Sequence, residues 1–197
     1  CVTTDTGRGV GVNIIDDKFN AAAGQGTIVR KDMLDEFGMD IPVTYDDYHE
    51  FLTRAKTEYG IAGYAGRIGN IFSGAANNPL SGGWAAMLAG FDTPAISIYQ
   101  VEGELCYGPV SDGMRDFLAM ISQWNSEGLI NDVAFMDTGI PTYETEIAAG
   151  TGCVSTDFAY SFTDVEDMSD GKAVISAGYE PRQTEDQQIH IGLDMST

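Results

Sequence analysis

The segment TIVRKDMLDEFGMDIPVTYDDYHEFLTRAKTEYG, residues 27–60, decides the predicted fold because its local signals agree with one another. The β-branched residues 27–29 favour a strand. Residues 31–37 follow as two helical turns, and Gly38 ends them because glycine readily adopts the left-handed conformation after a helix. This order predicts a strand that leads directly into a short helix.

A longer helix is predicted after the pair Ile41–Pro42, which is extended because proline disfavours a helical residue before it. Thr44 is placed to cap this helix, and Asp46 and Asp47 fall in its first turn, where the helix dipole favours negative charge. Gly60 ends the helix. The side chains at helical spacing are Tyr45, Tyr48, Leu52, Ala55 and Tyr59.

Length and composition favour one globular domain with one core, since the chain has 197 residues and is 43% hydrophobic. Its 30 acidic and 10 basic residues give a formal net charge of −20. This charge argues against a nucleic-acid partner and against adhesion to anionic lipid, because both need clustered basic residues. We interpret the acidity as a solubilising surface. The acidic run 163–171 lacks the ligand order of a calcium loop and is interpreted as a solvated helix end.

Motifs for membrane insertion, metal binding and catalysis are absent from the sequence. No apolar run approaches the ~18 residues that a membrane span needs, so no direct membrane insertion is expected. Cys1, Cys106 and Cys153 lack the spacing of a zinc site, and buried free thiols are favoured over a disulfide. With only His49 and His190, and no nucleophile elbow, the chain favours binding over chemistry. No cofactor is expected.

After residue 60 the sequence alternates short strands with capped helices. A strand is predicted at 61–64, and a β-hairpin at 96–101 and 104–107 around the Glu102–Gly103 turn. Ser111 is predicted to cap a helix that Gly128 ends, with an apolar stripe on one face. That stripe contains Met114, Phe117, Leu118, Ile121 and Trp124.

The final third of the chain continues the alternation. Thr142 is predicted to cap a third helix, which Gly150 ends, and a strand follows at 153–156. Residues 173–197 are predicted to be mostly loop with a closing strand at 189–192. Together these elements indicate the α/β class.

A glycine-rich and asparagine-rich stretch between residues 63 and 90 is predicted to be a long loop, of the kind that is usually functional or mobile. A short helix is predicted at 81–90. Trp84 within it is either a core anchor or a platform on which a ligand stacks, and the sequence leaves both interpretations open.

Four segments resemble, in the same order, the bacterial extracellular solute-binding proteins, which are lipoproteins that feed ABC sugar importers. The first, IVRKDMLDEFGMDIPVTYDDYHEFL (28–52), is similar to the family's (I/L)RKDWLDKLGL-x-(V/I)P-x-TYDE(F/L). The others are YQVEGELCYGPVSDGMRDFLAMISQWNSEGLIND (99–132), TYETEIAAGTGCVSTDF (142–158) and RQTEDQQIHIG (182–192). The departures are Met33 in place of the family's tryptophan, Cys153 in place of a small residue, and the glycine-rich stretch.

The resemblance implies an α/β lobe of the type II periplasmic-binding-protein-like fold, with a central mixed sheet flanked by helices. A whole family member is about twice this length and has two lobes. We therefore expect residues 1–197 to be one excised second lobe, with 1–26 and 173–197 near the crossings between lobes. Cys1 is then an internal residue.

The candidate ligand-binding residues follow from the rule that open α/β sheets bind ligands beyond the carboxyl ends of their strands. Arg67 and Asn70 come after the strand predicted at 61–64. Asp157, Phe158 and Tyr160 come after the strand predicted at 153–156. The competing interpretation is that Phe158 belongs to the core and Asp157 only caps a helix. Under the family resemblance Trp84 joins this set, and no catalytic residue is expected.

The expected function is non-enzymatic capture of a small solute, an oligosaccharide, for delivery to an ABC importer. The expected partners are the solute and, through a full-length parent protein, the membrane subunits of the importer. The chain is expected to be a monomer outside the cell, anchored through the parent lipoprotein. Two alternatives from other classes are a carbohydrate-active hydrolase domain and a cell-surface interaction module.

Overall fold

The chain forms a small sheet with helices on both of its faces. The computed structural model describes residues 2–3, 9–10, 25–66, 87–93, 98–101, 104–136, 141–158 and 161–189. The strands are β1 (Val2–Thr3), β2 (Gly9–Val10), β3 (Gln25–Arg30), β4 (Ile98–Val101), β5 (Glu104–Tyr107), β6 (Val154–Phe158) and β7 (Ile175–Ala177). The α-helices are α1 (Lys31–Phe37), α2 (Tyr45–Tyr59), α3 (Asp112–Ser126), α4 (Pro141–Ala149) and α5 (Ser161–Met168). Short 3-10 helices lie at Ala89–Phe91, Gly108–Val110 and Asp132–Phe135.

Strand β3 is the centre of the main sheet and pairs antiparallel with β6 on one side and β7 on the other. Tyr64 extends the sheet beyond β6 through parallel bridges to Val154 and Ile130, which makes the sheet mixed, as predicted. The strand predicted at 61–64 is wrong in extent, because pairing is confined to Tyr64. The Gly63 carbonyl accepts from both Cys153 N (2.7 Å) and Val154 N (3.0 Å), so no regular ladder forms before Tyr64.

The two faces of the sheet bury different amounts of apolar surface. The larger cluster holds Val29 and Val154 of the sheet with the apolar stripes of α1, α2 and α3. The smaller cluster lies on the opposite face, because Ile28 alternates with Val29 along β3. Its other members are Ala65, Tyr143, Ile147, Val165, Ala173 and Ile175, contributed largely by α4, α5 and β7. Helices on both faces of a mixed sheet confirm the predicted fold class.

The predicted ends of α1 and α2 are confirmed. Gly38 and Gly60 follow the two helices with φ of +66° and +71°, the left-handed region that glycine enters without strain. The Thr44 hydroxyl accepts from Asp47 N at 3.1 Å, and the Asp47 carboxylate accepts from Thr44 N at 2.8 Å. Burial alone would raise the pKa of Asp47, but these bonds and one from Val43 hold it below its usual range.

Arg30 joins the carboxyl end of β3 to α1 through a partly buried ion pair and to α4 through a hydrogen bond. Its guanidinium donates from Nε (2.8 Å) and Nη2 (2.5 Å) to the two carboxylate oxygens of Asp32, and from Nη1 (2.8 Å) to the Ile147 carbonyl of α4. Burial acts to raise the pKa of Asp32, but the hydrogen bond and charge of Arg30 outweigh it and lower that pKa. Arg30 and Asp32 of the family-like motif are therefore structural residues.

The predicted hairpin and the helix predicted to follow Ser111 are confirmed. β4 and β5 pair antiparallel, with Val101 opposite Glu104. The Ser111 hydroxyl caps α3 by accepting from Met114 N at 3.0 Å. The side chains of Met114, Phe117, Ile121 and Trp124 are buried along α3. Cys153 is a buried free thiol as predicted, whereas the free thiol of Cys106 is half-exposed and corrects the expectation of burial.

The structure differs from the sequence predictions at α4, β6 and β7. Thr142 does not cap α4, because the helix already begins at Pro141, a residue whose fixed φ suits the first helical position. β6 begins one residue later than predicted and continues to Phe158. β7 was not predicted, because three residues are too short to show an alternating pattern and their pairing with β3 is a tertiary contact.

The closing strand predicted at 189–192 is not seen at Ile189, and its other residues lie outside the described ones. The acidic run enters α5 and leaves it through Asp170 and Gly171, both with positive φ, which confirms a helix end. In the described part of the chain no helix is long and apolar enough to cross a membrane. The same residues contain no group of three or more side chains suited to hold a metal ion.

Candidate functional site

One edge of the main sheet brings together the ends of several segments. β6 reaches its carboxyl end at Phe158, directly opposite Gln25 at the start of β3. Tyr64 runs parallel to Val154, so the chain after Tyr64 leaves toward the same edge. β7 is antiparallel to β3 and also ends there, at Ala177. Open α/β sheets bind ligands at such an edge.

A cluster of buried polar side chains lies behind this edge and is here called the polar edge. Its members are Thr27, Tyr48, Tyr64, Thr156 and Glu180. They come from β3, α2, the bridge residue, β6 and the segment after β7. None is more than 8% exposed, although each carries a hydroxyl or a carboxyl group. Buried polar groups are costly to a fold, so a cluster of them at a binding edge is a candidate site.

Three of these hydroxyls lie on one face of the sheet. Thr27 and Thr156 are directly opposite each other across the β3–β6 pair. A Cβ atom added at Gly66 would lie 2.5 Å from the Tyr64 hydroxyl oxygen and 3.0 Å from Thr156 Oγ1. Only glycine fits here. Burial raises the pKa of Tyr64 to about 12, so this phenol is neutral and able to donate at physiological pH.

Tyr48 connects the polar edge to the segment that follows β7. Its hydroxyl donates to the Tyr179 carbonyl at 2.6 Å, while Gly178 N donates to the Thr27 carbonyl at 2.7 Å. Burial raises the pKa of Tyr48, and the nearby Glu180 carboxyl acts in the same direction. Burial likewise raises the pKa of Glu180, although its own backbone N–H and the charge of Arg182 partly oppose the shift.

Residues 87–93, which contain helical residues 87–88 and the 3-10 helix Ala89–Phe91 and are here called the turn at 87–93, pack beside the polar edge at the start of α2. The Tyr45 hydroxyl donates to the Met87 carbonyl at 2.8 Å and accepts from Gly90 N at 3.2 Å. Gln187 Nε2 donates to the Gly90 carbonyl at 3.0 Å. The chain that follows the glycine-rich stretch is therefore fixed to the same end of the domain.

The predicted site residues are only partly located. Asp157 and Phe158 were predicted to follow the strand at 153–156. They are instead the last two residues of β6, because β6 pairs with β3 as far as Gln25. The competing interpretation of Asp157 as a helix cap is wrong for the same reason, since α5 begins at Ser161. Arg67, Asn70, Trp84 and Tyr160 lie outside the described residues. In sequence, Arg67 directly follows Gly66 and Tyr160 comes two residues after Phe158.

The sequence interpretation missed the polar edge. One available signal was that Thr27 and Thr156 are hydroxyl residues within the predicted strands 27–29 and 153–156. Glu180 gave no signal, since it lies in an aperiodic run, GYEPR, whose burial depends on packing against α2 and β3. His49, one of the two residues considered for catalysis, instead meets Glu127 (2.5 Å between Nε2 and Oε2) in a contact between α2 and the end of α3.

No protein-family model matches the chain, and no curated protein matches it in sequence. Solved structures do match. The alginate-binding protein AlgQ2, in a calcium-free crystal structure, superposes with a TM-score of 0.60 at 16% identity, covering 78% of this chain and 32% of that one. MsmE from Bacillus subtilis, assigned as a binding protein and crystallised in an open conformation, gives a TM-score of 0.56 at 16% identity. That match covers 81% of this chain and 39% of MsmE.

The likeness establishes the fold. The chain adopts a periplasmic-binding-protein-like α/β fold and corresponds to part of each of these larger proteins. It spans about a third of the length of AlgQ2 and somewhat more of MsmE, at 32% and 39%.

Proposed function

We propose that this chain is the second lobe of an extracellular solute-binding protein that captures an oligosaccharide without chemical turnover. The observation that carries the proposal is the polar edge, where buried hydroxyls and a carboxyl collect at the carboxyl end of β6 in a periplasmic-binding-protein-like sheet. The two solved structures to which the chain is similar are an alginate-binding protein and a protein assigned as a binding protein. The side chains of the polar edge are buried, so their role in the proposal is to hold the chain at Gly66 and after β7 rather than to contact the solute.

The contacts to the solute are assigned to the side chains that the sequence predicts to bind a ligand. We assign Phe158, Tyr160 and Trp84 to stacking on sugar faces, and Asp157 and Asn70 to hydrogen bonds with sugar hydroxyls. Arg67, directly after Gly66, is assigned as a donor. The buried hydroxyls of Tyr64 and Thr156 lie against Gly66 and hold the start of that segment in place.

Closure of the other lobe of the parent protein onto this one would complete the site. In a two-lobe protein the solute binds between the lobes, and hinge motion buries it. We place residues 1–26 and 173–197 near the crossings between lobes. We further propose that the parent protein is a lipoprotein of the family that the sequence resembles, anchored at the cell surface. It would be a monomer that delivers the solute to the membrane subunits of an ABC importer.

Calorimetry with defined trisaccharides tests this proposal. The titrants are maltotriose, cellotriose and an alginate trisaccharide, added to the 197-residue chain and to a longer protein that contains it. We expect a cooperative melt of the chain but affinity weaker than micromolar, because half of the cleft is supplied from elsewhere. The longer protein should bind at least one trisaccharide in the micromolar range or tighter. Turnover of a trisaccharide, or micromolar binding by the chain alone, would contradict the proposal.

A further inference from the structure

Glu180 lies in the middle of the segment 178–182, here called the return segment, whose first half is fixed to β3 and α2. Gly178 N donates to the Thr27 carbonyl at 2.7 Å. The Tyr48 hydroxyl donates to the carbonyl of the residue before Glu180 at 2.6 Å. These two bonds hold the backbone of the return segment up to the residue before Glu180.

The second half of the return segment is fixed as firmly. Arg182 N donates to the Val43 carbonyl at 3.3 Å, and the Arg182 carbonyl accepts from Tyr45 N at 3.1 Å. A Cβ atom added at Gly90 would lie 2.7 Å from the Pro181 carbonyl oxygen, so the turn at 87–93 packs closely on the segment. The return segment therefore passes between α2 and this turn, with Glu180 directed inward and only 7% exposed.

The charged and titratable groups around Glu180 provide little compensation for a buried carboxylate. Among the described residues, α2 presents the phenol of Tyr48, whose pKa is raised by burial first and by Glu180 second. The turn at 87–93 carries Asp92, which is acidic and exposed. Arg182 is the basic group of the return segment, and its attraction is smaller than the effect of burial, which raises the pKa of Glu180. A negative charge in such a place favours solvent exposure.

We propose that Glu180 is a positioning residue whose protonated carboxyl keeps the return segment packed against α2 and β3, and whose ionisation loosens it. The segment borders the polar edge, so its looseness would change the shape of that edge with pH. The inference concerns the chain without solute, and it stands or falls independently of oligosaccharide binding.

Thermal melts from pH 4 to pH 8 test this inference in three forms of the chain. A carboxyl whose folded pKa is raised contributes stability that is present below its unfolded pKa of about 4.3 and is lost as pH rises through the folded pKa. Glu180→Gln mimics the protonated group and removes that loss. We expect equal Tm values at pH 4 and a Tm about 2–4 °C above that of the unsubstituted chain at pH 8. Glu185→Gln, at an exposed acid nearby, should follow the unsubstituted chain.

Two results would overturn the inference. One is a constant difference in Tm between Glu180→Gln and the unsubstituted chain at every pH, and the other is a lower Tm for the variant at pH 8. If the variant does not fold, the pKa of the Glu180 carboxyl is measured instead by carbon-13 NMR titration of the unsubstituted chain. An apparent pKa of the Glu180 carboxyl above about 4.3 supports the inference, and a value at or below it overturns it.

Discussion

Buried polar groups at the two ends of β3 have different kinds of partner. At the carboxyl end, Arg30 is enclosed, but its guanidinium meets the Asp32 carboxylate through two bonds and the Ile147 carbonyl through a third. Toward the amino end, Thr27 lies opposite Thr156 and near the Tyr48 hydroxyl, and Tyr48 is in turn near the Glu180 carboxyl. Burial raises the pKa of Glu180, and the charge of Arg182 opposes that shift only in part.

This difference separates a stabilising contact from the proposed site within one strand. A charge-assisted, bidentate pair is the strong form of a buried polar contact, and it ties β3 to α1 and α4. A collection of hydroxyls contributes less to stability, because each one loses its hydrogen bonds to water on folding. The retention of such a collection at one end of the sheet supports the proposal that this end holds the segments that bind solute.

Breaking the Arg30 end should have the largest effect. Arg30→Met removes the guanidinium and leaves the Asp32 carboxylate half-buried without its partner, so the free energy of unfolding should fall by about 3 kcal/mol. Urea denaturation measures this loss. Arg115→Met is the matched control, because the Arg115–Asp112 pair is exposed and should contribute at most about 1 kcal/mol.

Acid provides a second measurement of the same contact. The pKa of Asp32 is lowered in the folded state, so its contribution is present above the unfolded pKa of about 3.9 and is lost as pH falls through the folded value. The acid-side loss of stability should therefore be smaller in Arg30→Met than in the unsubstituted chain. Equal urea midpoints for the Arg30 and Arg115 variants would show that the two ends of β3 do not differ as described.

The sequence predicted the ends of α1 and α2 well and the polar edge poorly, for a physical reason. The ends of α1 and α2 depend on local chemistry, the left-handed glycines and the Thr44 cap, which can be recognised within a few residues. The edge depends on contacts between residues far apart in sequence, such as Thr27 with Thr156 and Tyr48 with Tyr179. The roles of Arg67, Asn70, Trp84 and Tyr160 stay predictions.

Tyr160, two residues after the end of β6 in sequence, should affect affinity without affecting stability. In a longer protein that contains this chain, Tyr160→Ala should weaken binding of the trisaccharide selected by calorimetry by about 1–3 kcal/mol, the usual contribution of a buried aromatic contact. Its Tm should change little. Tyr107→Ala, at an exposed tyrosine of β5, is the control and should leave affinity unchanged. A Tyr160 variant with lower Tm and unchanged affinity would assign this tyrosine to the core instead.

The smallest expected effect distinguishes a hydroxyl that stabilises the fold from one that does not. Thr27→Val removes the contact between the Thr27 and Tyr48 hydroxyls, but Tyr48 keeps its bond to the Tyr179 carbonyl, and a methyl group replaces a hydroxyl in a buried strand. We expect the free energy of unfolding to stay the same or rise by up to about 1 kcal/mol. Thr44→Ala is the comparison, because that hydroxyl caps α2, and its loss should cost about 1 kcal/mol. Urea midpoints of the two variants should therefore move in opposite directions, or only that of Thr44→Ala should move. A Thr27 variant destabilised as much as the Thr44 variant would mean that the hydroxyls of the polar edge stabilise the fold, and that the two ends of β3 are built alike.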